Sequence, residues 1–432
     1  MKSVYFIGIK GVGMCGLAQI LKALGYEVYG SDVKEKFFTD EVLKKLKIKV
    51  FEGFKRSNLF KNFDLVIVSQ AYATKYRDKF LSNNPEVKEA LRRKMKVITY
   101  PEAVASIFNQ SFGIAICGSH GKSTTSAMIA EILRKTNRSF IALIGSEVLA
   151  WRSNAFIRVK NTLDIKKIIF VLEADEYREA FLNYKPKIIV LTNIDYDHPD
   201  YFSDKNKYRN AFRRFINNLT GKKILITETK LKIPKNIKVI KPSKLKFNLR
   251  FKGEHYEKNA NLAYTCGRIL GIDREKIKKA LENYRGIRRR FEIVGKFRDC
   301  ILIDDYAHHP TEIESVLESL KNFDKDLNKI WIIFQPHTYS RTLALFPNFV
   351  KVLKKIPKLI ILKSYSSARE KLEKGKTDPA FKLYYVIKKV NNQVKYFVNH
   401  EDVVKFLKEK VSDETAIVTI GAGDVWKILN LL

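Results

Sequence analysis

Acidic side chains are scarce in this chain. Against 81 Lys and Arg there are only 46 Asp and Glu, a formal net charge of +35 over 432 residues. A nucleic-acid binder would gather that excess on an arm or a tail. Here the lysines run along the whole length and interleave with acids, as in Asp273–Glu282, so no nucleic-acid partner is expected. Cysteine is scarcer still. Cys15, Cys117, Cys266 and Cys300 lie far apart without metal-ligand spacing, which excludes a disulfide framework and reads as buried thiols in a reducing compartment. No apolar run approaches the length of a membrane span, so no membrane insertion is expected. The N-terminus enters Val4-Tyr5-Phe6-Ile7 directly, without the basic and then apolar segments of a secretory signal. A soluble, cytoplasmic protein is the expectation. The length allows two to four domains with ample core, and the 45% hydrophobic content is that of an ordinary globular protein.

What is present is organised around residues 116–125. An apolar strand pattern, Phe112 to Ile116, meets a turn built on Gly118 and Gly121, and Lys122 opens a helical pattern carrying Ala127, Met128, Ile129, Ile132 and Leu133. Strand, glycine turn and helix N-terminus together make an anion cradle. Gly118, Ser119, His120, Gly121 and Thr124 line it. Lys122 is placed to reach the outer phosphates of a nucleotide, and the Ser123 hydroxyl to meet Mg2+. The motif is shortened, because Ile116 stands where a full phosphate loop has its first glycine.

A second glycine turn precedes it. Strand 4–9 leads into Gly11-Val-Gly13-Met14-Cys-Gly16, a helix over Leu17 to Leu24, and a strand from Glu27 to Gly30 closed by Ser31-Asp32. An acid about 20 residues beyond such a turn meets a ribose in dinucleotide-binding units. The motif admits a nicotinamide cofactor, a nucleotide diphosphate as substrate, or glycines serving close packing alone. Strands at Leu65 to Ser69 and Lys96 to Thr99, a helix from Pro85 and an irregular surface loop over 70–84 complete this part.

Two acidic clusters then follow apolar strands: Glu173-Ala-Asp-Glu-Tyr177 and Thr192-Asn-Ile-Asp-Tyr-Asp-His198. In open α/β sheets the ligand crevice lies at carboxyl ends of strands, where carboxylates and a histidine can hold Mg2+ near Lys122. Arg288-Arg289-Arg290 is either a solvated turn or a hinge bringing a guanidinium to phosphates. Beyond it, two more strand ends carry Asp304-Asp305-Tyr306-Ala-His308-His-Pro-Thr-Glu312 and Gln335-Pro-His337-Thr-Tyr-Ser-Arg341, and the last carries Gly421-Ala-Gly-Asp424. Alternating β and α patterns throughout predict three α/β domains: an N-terminal Rossmann-like parallel sheet (1–108), a central P-loop-type ATPase domain (109–290) and a C-terminal Rossmann-like domain (291–432).

Taken together, Gly8 to Met14 with Asp32, Gly118 to Thr124, Glu173 to Tyr177, Thr192 to His198, Asp304 to Glu312, Phe334 to His337 and Gly421 to Asp424 resemble the Mur ligases of bacterial cell-wall synthesis, over the whole chain and in order. The resemblance implies ATP-dependent joining of L-alanine to UDP-N-acetylmuramate through an acyl phosphate, by a monomer or homodimer using ATP and Mg2+. It implies a UDP-sugar site at Gly11, Gly13, Met14, Ser31, Asp32 and Ser69, and nucleoside contacts at Asn259 and Asp305. Ser123 and Glu173 match one Mg2+ site and His198 a second. Lys122 and Arg290 match positions that meet phosphate charge, and Tyr306, His308, His337 and Arg341 surround the amino acid. Either His308 or His337 then takes the amine proton. Two positions depart from the family pattern: Tyr256, where relatives often carry Asn, and Thr338, where they often carry Arg. Three rivals remain in view: a ligase attaching a preformed tripeptide to the same sugar, a nicotinamide-dependent dehydrogenase, and a basic nucleic-acid-binding protein.

Overall fold

The computed structural model describes residues 2–76, 79–159, 164–366, 372 and 375–432. Three α/β sheets with helices between their strands are distributed over two compact units. The first unit comprises Met1–Ile194, Arg209–Phe247 and Asn259–Arg285; the second comprises Asp195–Tyr208, Asn248–Lys258 and Gly286–Leu432.

The first unit holds two sheets. One is wholly parallel, with strands in the order Lys49–Glu52, Glu27–Asp32, Ser3–Ile7, Leu65–Val68 and Val97–Thr99. Its central strand is fully apolar from Val4 to Ile7 and fully buried there, as expected for a parallel strand covered on both faces. The other has seven strands, ordered Ser153–Arg158, Phe140–Val148, Ile169–Glu173, Phe112–Cys117, Ile188–Leu191, Ile224–Ile226 and Lys238–Ile240; only the first pair is antiparallel. The edge strand exposes Lys238 and Val239, and a charged, three-residue edge is a poor template for pairing with another chain.

The helix expected from Leu17 begins earlier, at Val12, with Gly11 as its N-cap. Gly13 and Gly16 therefore lie inside the helix, at some cost in propensity. Packing explains them. A Cβ on Gly13 would lie 2.7 Å from the Tyr100 ring, and one on Gly16 would lie 2.3 Å from Leu143 and 2.6 Å from Asn154. Asn154 is fully buried; its Nδ2 donates to the Val12 carbonyl (2.7 Å), and its Oδ1 accepts from Gln19 (3.1 Å), whose own Oε1 accepts from Ser153 (2.8 Å). The segment expected as an irregular loop over 70–84 instead contains a small antiparallel pair, Thr74–Tyr76 with Lys79–Leu81.

The second unit is built on a six-stranded sheet, ordered Glu292–Phe297, Cys300–Asp305, Ala416–Ile420, Ile330–Phe334, Lys358–Leu362 and Lys395–Phe397, parallel except for the first pair. Its two faces bury separate apolar clusters, one around Phe334, Phe349 and Leu353, the other around Trp331, Ile360 and Leu407. The three central strands all end on the same side, which brings their following loops to one edge of the sheet.

Candidate active site

In the first unit the turn after strand Phe112–Cys117 is held open by its neighbour. Gly118 has φ +131°, and a Cβ there would lie 2.1 Å from the Thr192 hydroxyl. Asn193 accepts from the Ser119 N–H (3.2 Å) and the His120 N–H (3.0 Å), and Thr192 donates to the His120 carbonyl (2.6 Å). Gly121 is left-handed (φ +81°) and starts helix Lys122–Arg134 with no side chain capping it. The first-turn N–H groups and the positive helix end thus stay available to an anion. Asn259 lies against Gly121, where an added Cβ would come within 2.5 Å of its Oδ1.

The Lys122 ammonium donates to the carbonyls of Gly118 (2.6 Å) and Ser119 (3.2 Å) and pairs with the fully buried Glu176 at 3.0 Å. Burial alone would lower its pKa, but Glu176, Asp175 and Glu173 overcome that and raise it above the usual lysine value, so it stays charged. Ser123 donates to Glu173 Oε1 (2.8 Å), and the Gly145 N–H donates to Oε2 (2.6 Å). Burial pushes the Glu173 carboxyl up, against the pull of Gly145, Lys122 and Ser123. A hydroxyl and a desolvated carboxylate, both hard oxygen donors, suit Mg2+, and a divalent cation would relieve the burial penalty. Thr124 is buried in the first turn of the helix.

The residues expected at the UDP sugar are largely turned inward. Asp32 is 4% exposed, with Oδ2 taken by the Lys10 N–H (2.7 Å) and Oδ1 by Val33 N–H (2.8 Å) and Tyr72 Oη (3.2 Å). Ser31 is fully buried and its hydroxyl goes to Glu86, not to a cleft. Met14 is buried too. Ser69 accepts from the Ala71 N–H (3.3 Å), and Gly11 N–H donates to the Gly8 carbonyl. Tyr72 and Glu86 were not anticipated. Glu86 sits at a helix start behind Pro85 and gathers Tyr5, Ser31, Lys55 N–H and Asn58.

The second unit carries the histidine constellation. Strand Cys300–Asp305 presents Asp305, whose oxygens accept from the Phe291 and Ala307 N–H groups, both at 2.7 Å. Burial raises its pKa to about 6 against the opposing Arg290. His309 caps helix Pro310–Phe323 through the Thr311 N–H, which leaves Glu312 on the first turn to pair with Arg290 (3.1 Å) and accept from the His308 N–H (3.0 Å). Arg290, expected at phosphate charge, is thus engaged by Glu312, while Arg289 braces two strand ends through Asp304 and the carbonyls of Gly421 and Gly423.

His308 Nδ1 lies 3.0 Å from the Tyr306 carbonyl and 3.4 Å from Glu312. Both partners only accept, so Nδ1 carries the proton and Nε2 keeps its lone pair. Burial lowers the His308 pKa to about 3, keeping the ring neutral. His337, 6.1 Å away ring to ring, points Nδ1 at Arg341 Nη1 (3.4 Å), a donor, and stacks on Tyr365. Arg341 is 6% exposed and its Nε donates to Asp197 at 2.9 Å. Asp197 and its neighbour His198 (φ +57°) belong to this unit through segment Asp195–Tyr208. Asp197 stood within a motif read for its histidine. An acid beside that histidine was the one available signal.

Comparison with known proteins identifies the family. Family models match residues 3–112 (Mur ligase family, catalytic domain), 116–279 (Mur ligase middle domain) and 289–423 (Mur ligase, glutamate ligase domain). The UDP-N-acetylmuramate–L-alanine ligases of Borreliella burgdorferi and Aquifex aeolicus are each 32% identical, over 98% and 99% of this chain and 97% and 96% of their own. Among solved structures, the UDP-N-acetylmuramate–alanine ligase of Thermotoga maritima shares the fold with a TM-score of 0.77 at 24% identity, covering 100% of this chain and 98% of that one. A murein peptide ligase from Psychrobacter arcticus follows at 0.68 and 20%, covering 100% and 98%. With every sheet accounted for in order and curated relatives aligned from end to end, this chain belongs to the Mur ligase family.

Proposed function

We propose that the protein joins L-alanine to UDP-N-acetylmuramate with hydrolysis of ATP to ADP and phosphate, in peptidoglycan synthesis. End-to-end relationship to the named alanine ligases carries the choice of reaction, and the uncapped helix start bearing Lys122 beside the Ser123–Glu173 pair is the observation that supports phosphoryl transfer. The lactyl carboxylate of the sugar attacks the γ-phosphorus and ADP leaves. The alanine amine then attacks the acyl carbon and phosphate leaves. Such chemistry asks for charge compensation and positioning more than a protein nucleophile.

In this reading the helix N-terminus and Gly118–Thr124 cradle the phosphates, and Lys122 exchanges Glu176 for them. Ser123 and Glu173 would hold Mg2+, which would neutralise phosphate charge, and His198 would meet a second ion. Asn259 and Asp305 serve the nucleoside, with Arg290 keeping a positive charge near it. The glycine turn at Gly11 and Gly13, with Met14, Ser31, Asp32 and Ser69, frames the UDP part, mostly by packing and backbone. Arg341 takes the amino-acid carboxylate by its fork, His337 and Tyr306 flank it, and His308 accepts the amine proton at Nε2. The working domain division is 1–108, 109–290 and 291–432. A phosphate-release assay with UDP-N-acetylmuramate and ATP tests the proposal against L-alanine, glycine, L-serine and a cell-wall tripeptide. Release with alanine well above the others is expected. Preference for the tripeptide, or no release with any amine, overturns it.

A further inference from the structure

The Arg341 guanidinium is gripped at one end and leaves its Nη edge weakly bonded. It is 6% exposed, so its donors have little water to turn to. Of its five N–H bonds, the Nε one is well used, at 2.9 Å to Asp197 Oδ1. The Nη1 contacts, to His337 Nδ1 and to the His337 carbonyl, are both 3.4 Å, at the limit of a hydrogen bond. Nη2 has no hydrogen bond among the described residues. A guanidinium that serves only to pair with a carboxylate typically does so with both prongs. This one is held by a single prong at its stem end.

The acid that holds it is itself fixed. Asp197 is 4% exposed, and its Oδ1 also accepts from the His198 N–H at 2.7 Å. The carboxylate therefore cannot swing round to cover the Nη edge without giving up a backbone bond. The other end of the constellation is a second buried acid, Glu312, with the His308 ring against it. A zwitterion with its carboxylate on the Nη edge and its nitrogen toward His308 and Glu312 matches that charge order.

We infer that Asp197 is a positioning residue for amino-acid recognition: it clamps Arg341 through Nε so that the Nη edge stays presented to the α-carboxylate of the incoming amino acid. The inference rests on the ligase reading above. It makes Asp197 act through Arg341, on the amino acid alone, and not on the nucleotide or the sugar.

The test is steady-state phosphate release by the full chain and its Asp197→Asn variant, varying one substrate at a time. The variant keeps the shape and loses the charge. The expected result is a KM for L-alanine raised at least tenfold, with KM for ATP and for UDP-N-acetylmuramate, and kcat at saturating alanine, within threefold of the parent. L-Alaninamide, which lacks the carboxylate, provides a second readout. The parent should prefer alanine over the amide strongly, and Asp197→Asn should lose most of that preference. In an Arg341→Lys background, adding Asp197→Asn should raise the alanine KM no further, because the two act as one unit. Should Asp197→Asn fail to accumulate folded, Asp197→Glu, which lengthens the arm and displaces the guanidinium, is read in the same way. A fall in kcat with every KM unchanged, an unchanged preference for alanine over the amide, or additive effects with Arg341→Lys would overturn the inference. If the parent itself releases no phosphate with alanine, the ligase reading falls first and takes this with it; an active parent with an insensitive variant sinks the inference alone.

Discussion

Removing the Lys122 ammonium has two consequences that can be separated. Lys122→Met takes away a charge that compensates the fully buried Glu176 and that also bonds two loop carbonyls. Stranding one partner of a buried ion pair costs about 3–5 kcal/mol. At roughly 2–4 °C per kcal/mol for a body of this size, the single variant should melt roughly 10 °C below the parent. Adding Glu176→Gln removes the stranded charge, and neutral replacements of buried pairs are often near neutral in stability. The double variant should therefore recover most of the lost melting temperature. Catalysis should not recover. Without a cation at the phosphates, ATP-dependent turnover should stay down by at least ~100-fold, about 2.7 kcal/mol of barrier. Calorimetry on the three proteins, beside phosphate release at saturating substrates, reads both effects. A double variant with near-parent turnover would refute the phosphate role of Lys122. A Lys122→Met variant as stable as the parent, with nothing regained on adding Glu176→Gln, would refute the account of the ion pair.

Gly16→Ala should cost about 1–3 kcal/mol in urea unfolding, because its Cβ would collide with Leu143 and displace the buried Asn154; a neutral result would show that this seam yields. His255 and His308 have pKa values lowered by burial to about 4 and about 3. The unfolded chain then binds their protons first, so stability is full above about pH 6.5 and falls as pH drops toward 4. His308→Asn, which can keep the bond to the Tyr306 carbonyl, should flatten that fall by at least ~1 kcal/mol; parallel stability curves between pH 7 and 4.5 would contradict the sign or the size of the shift. Thr338 begins the helix that carries Arg341, at φ +68°, a conformation as unfavourable for Thr as for any branched side chain. Thr338→Arg should not add strain, and a second guanidinium should lower the KM for alanine several-fold; a KM that stays put or rises would argue against a carboxylate beside this position.

Much of the architecture was legible because buried parallel strands leave unbroken apolar runs and their ends carry the polar chemistry. Phe112 to Cys117, Ile188 to Leu191 and Ile330 to Phe334 are of this kind, and Lys122 opens its helix where the glycine turn placed it. The early helix start at Val12 was hidden by glycines, whose poor helix propensity conceals a packing role that only Tyr100, Leu143 and Asn154 reveal. Hydrogen-bond direction was hidden as well. Ser31 and Asp32 lie at a strand end as the motif demands, yet Glu86 and Tyr72, far along the chain, decide where they point. A His308 ring nitrogen faces a carbonyl and a His337 ring nitrogen faces a guanidinium, a difference that no spacing encodes.

Neither compact unit is one continuous stretch of chain. On the ribosome, Asp195–Tyr208 emerges well before Gly286–Leu432, the partners it will pack with, while the first unit cannot be completed until Arg285 has been made. The peptide bearing Asp197 and His198 must therefore wait, unburied, through the synthesis of everything between. Its safekeeping in that interval, by a chaperone or by its own polarity, becomes a condition for making active protein, and no single cut of the chain would part the two units into separate pieces.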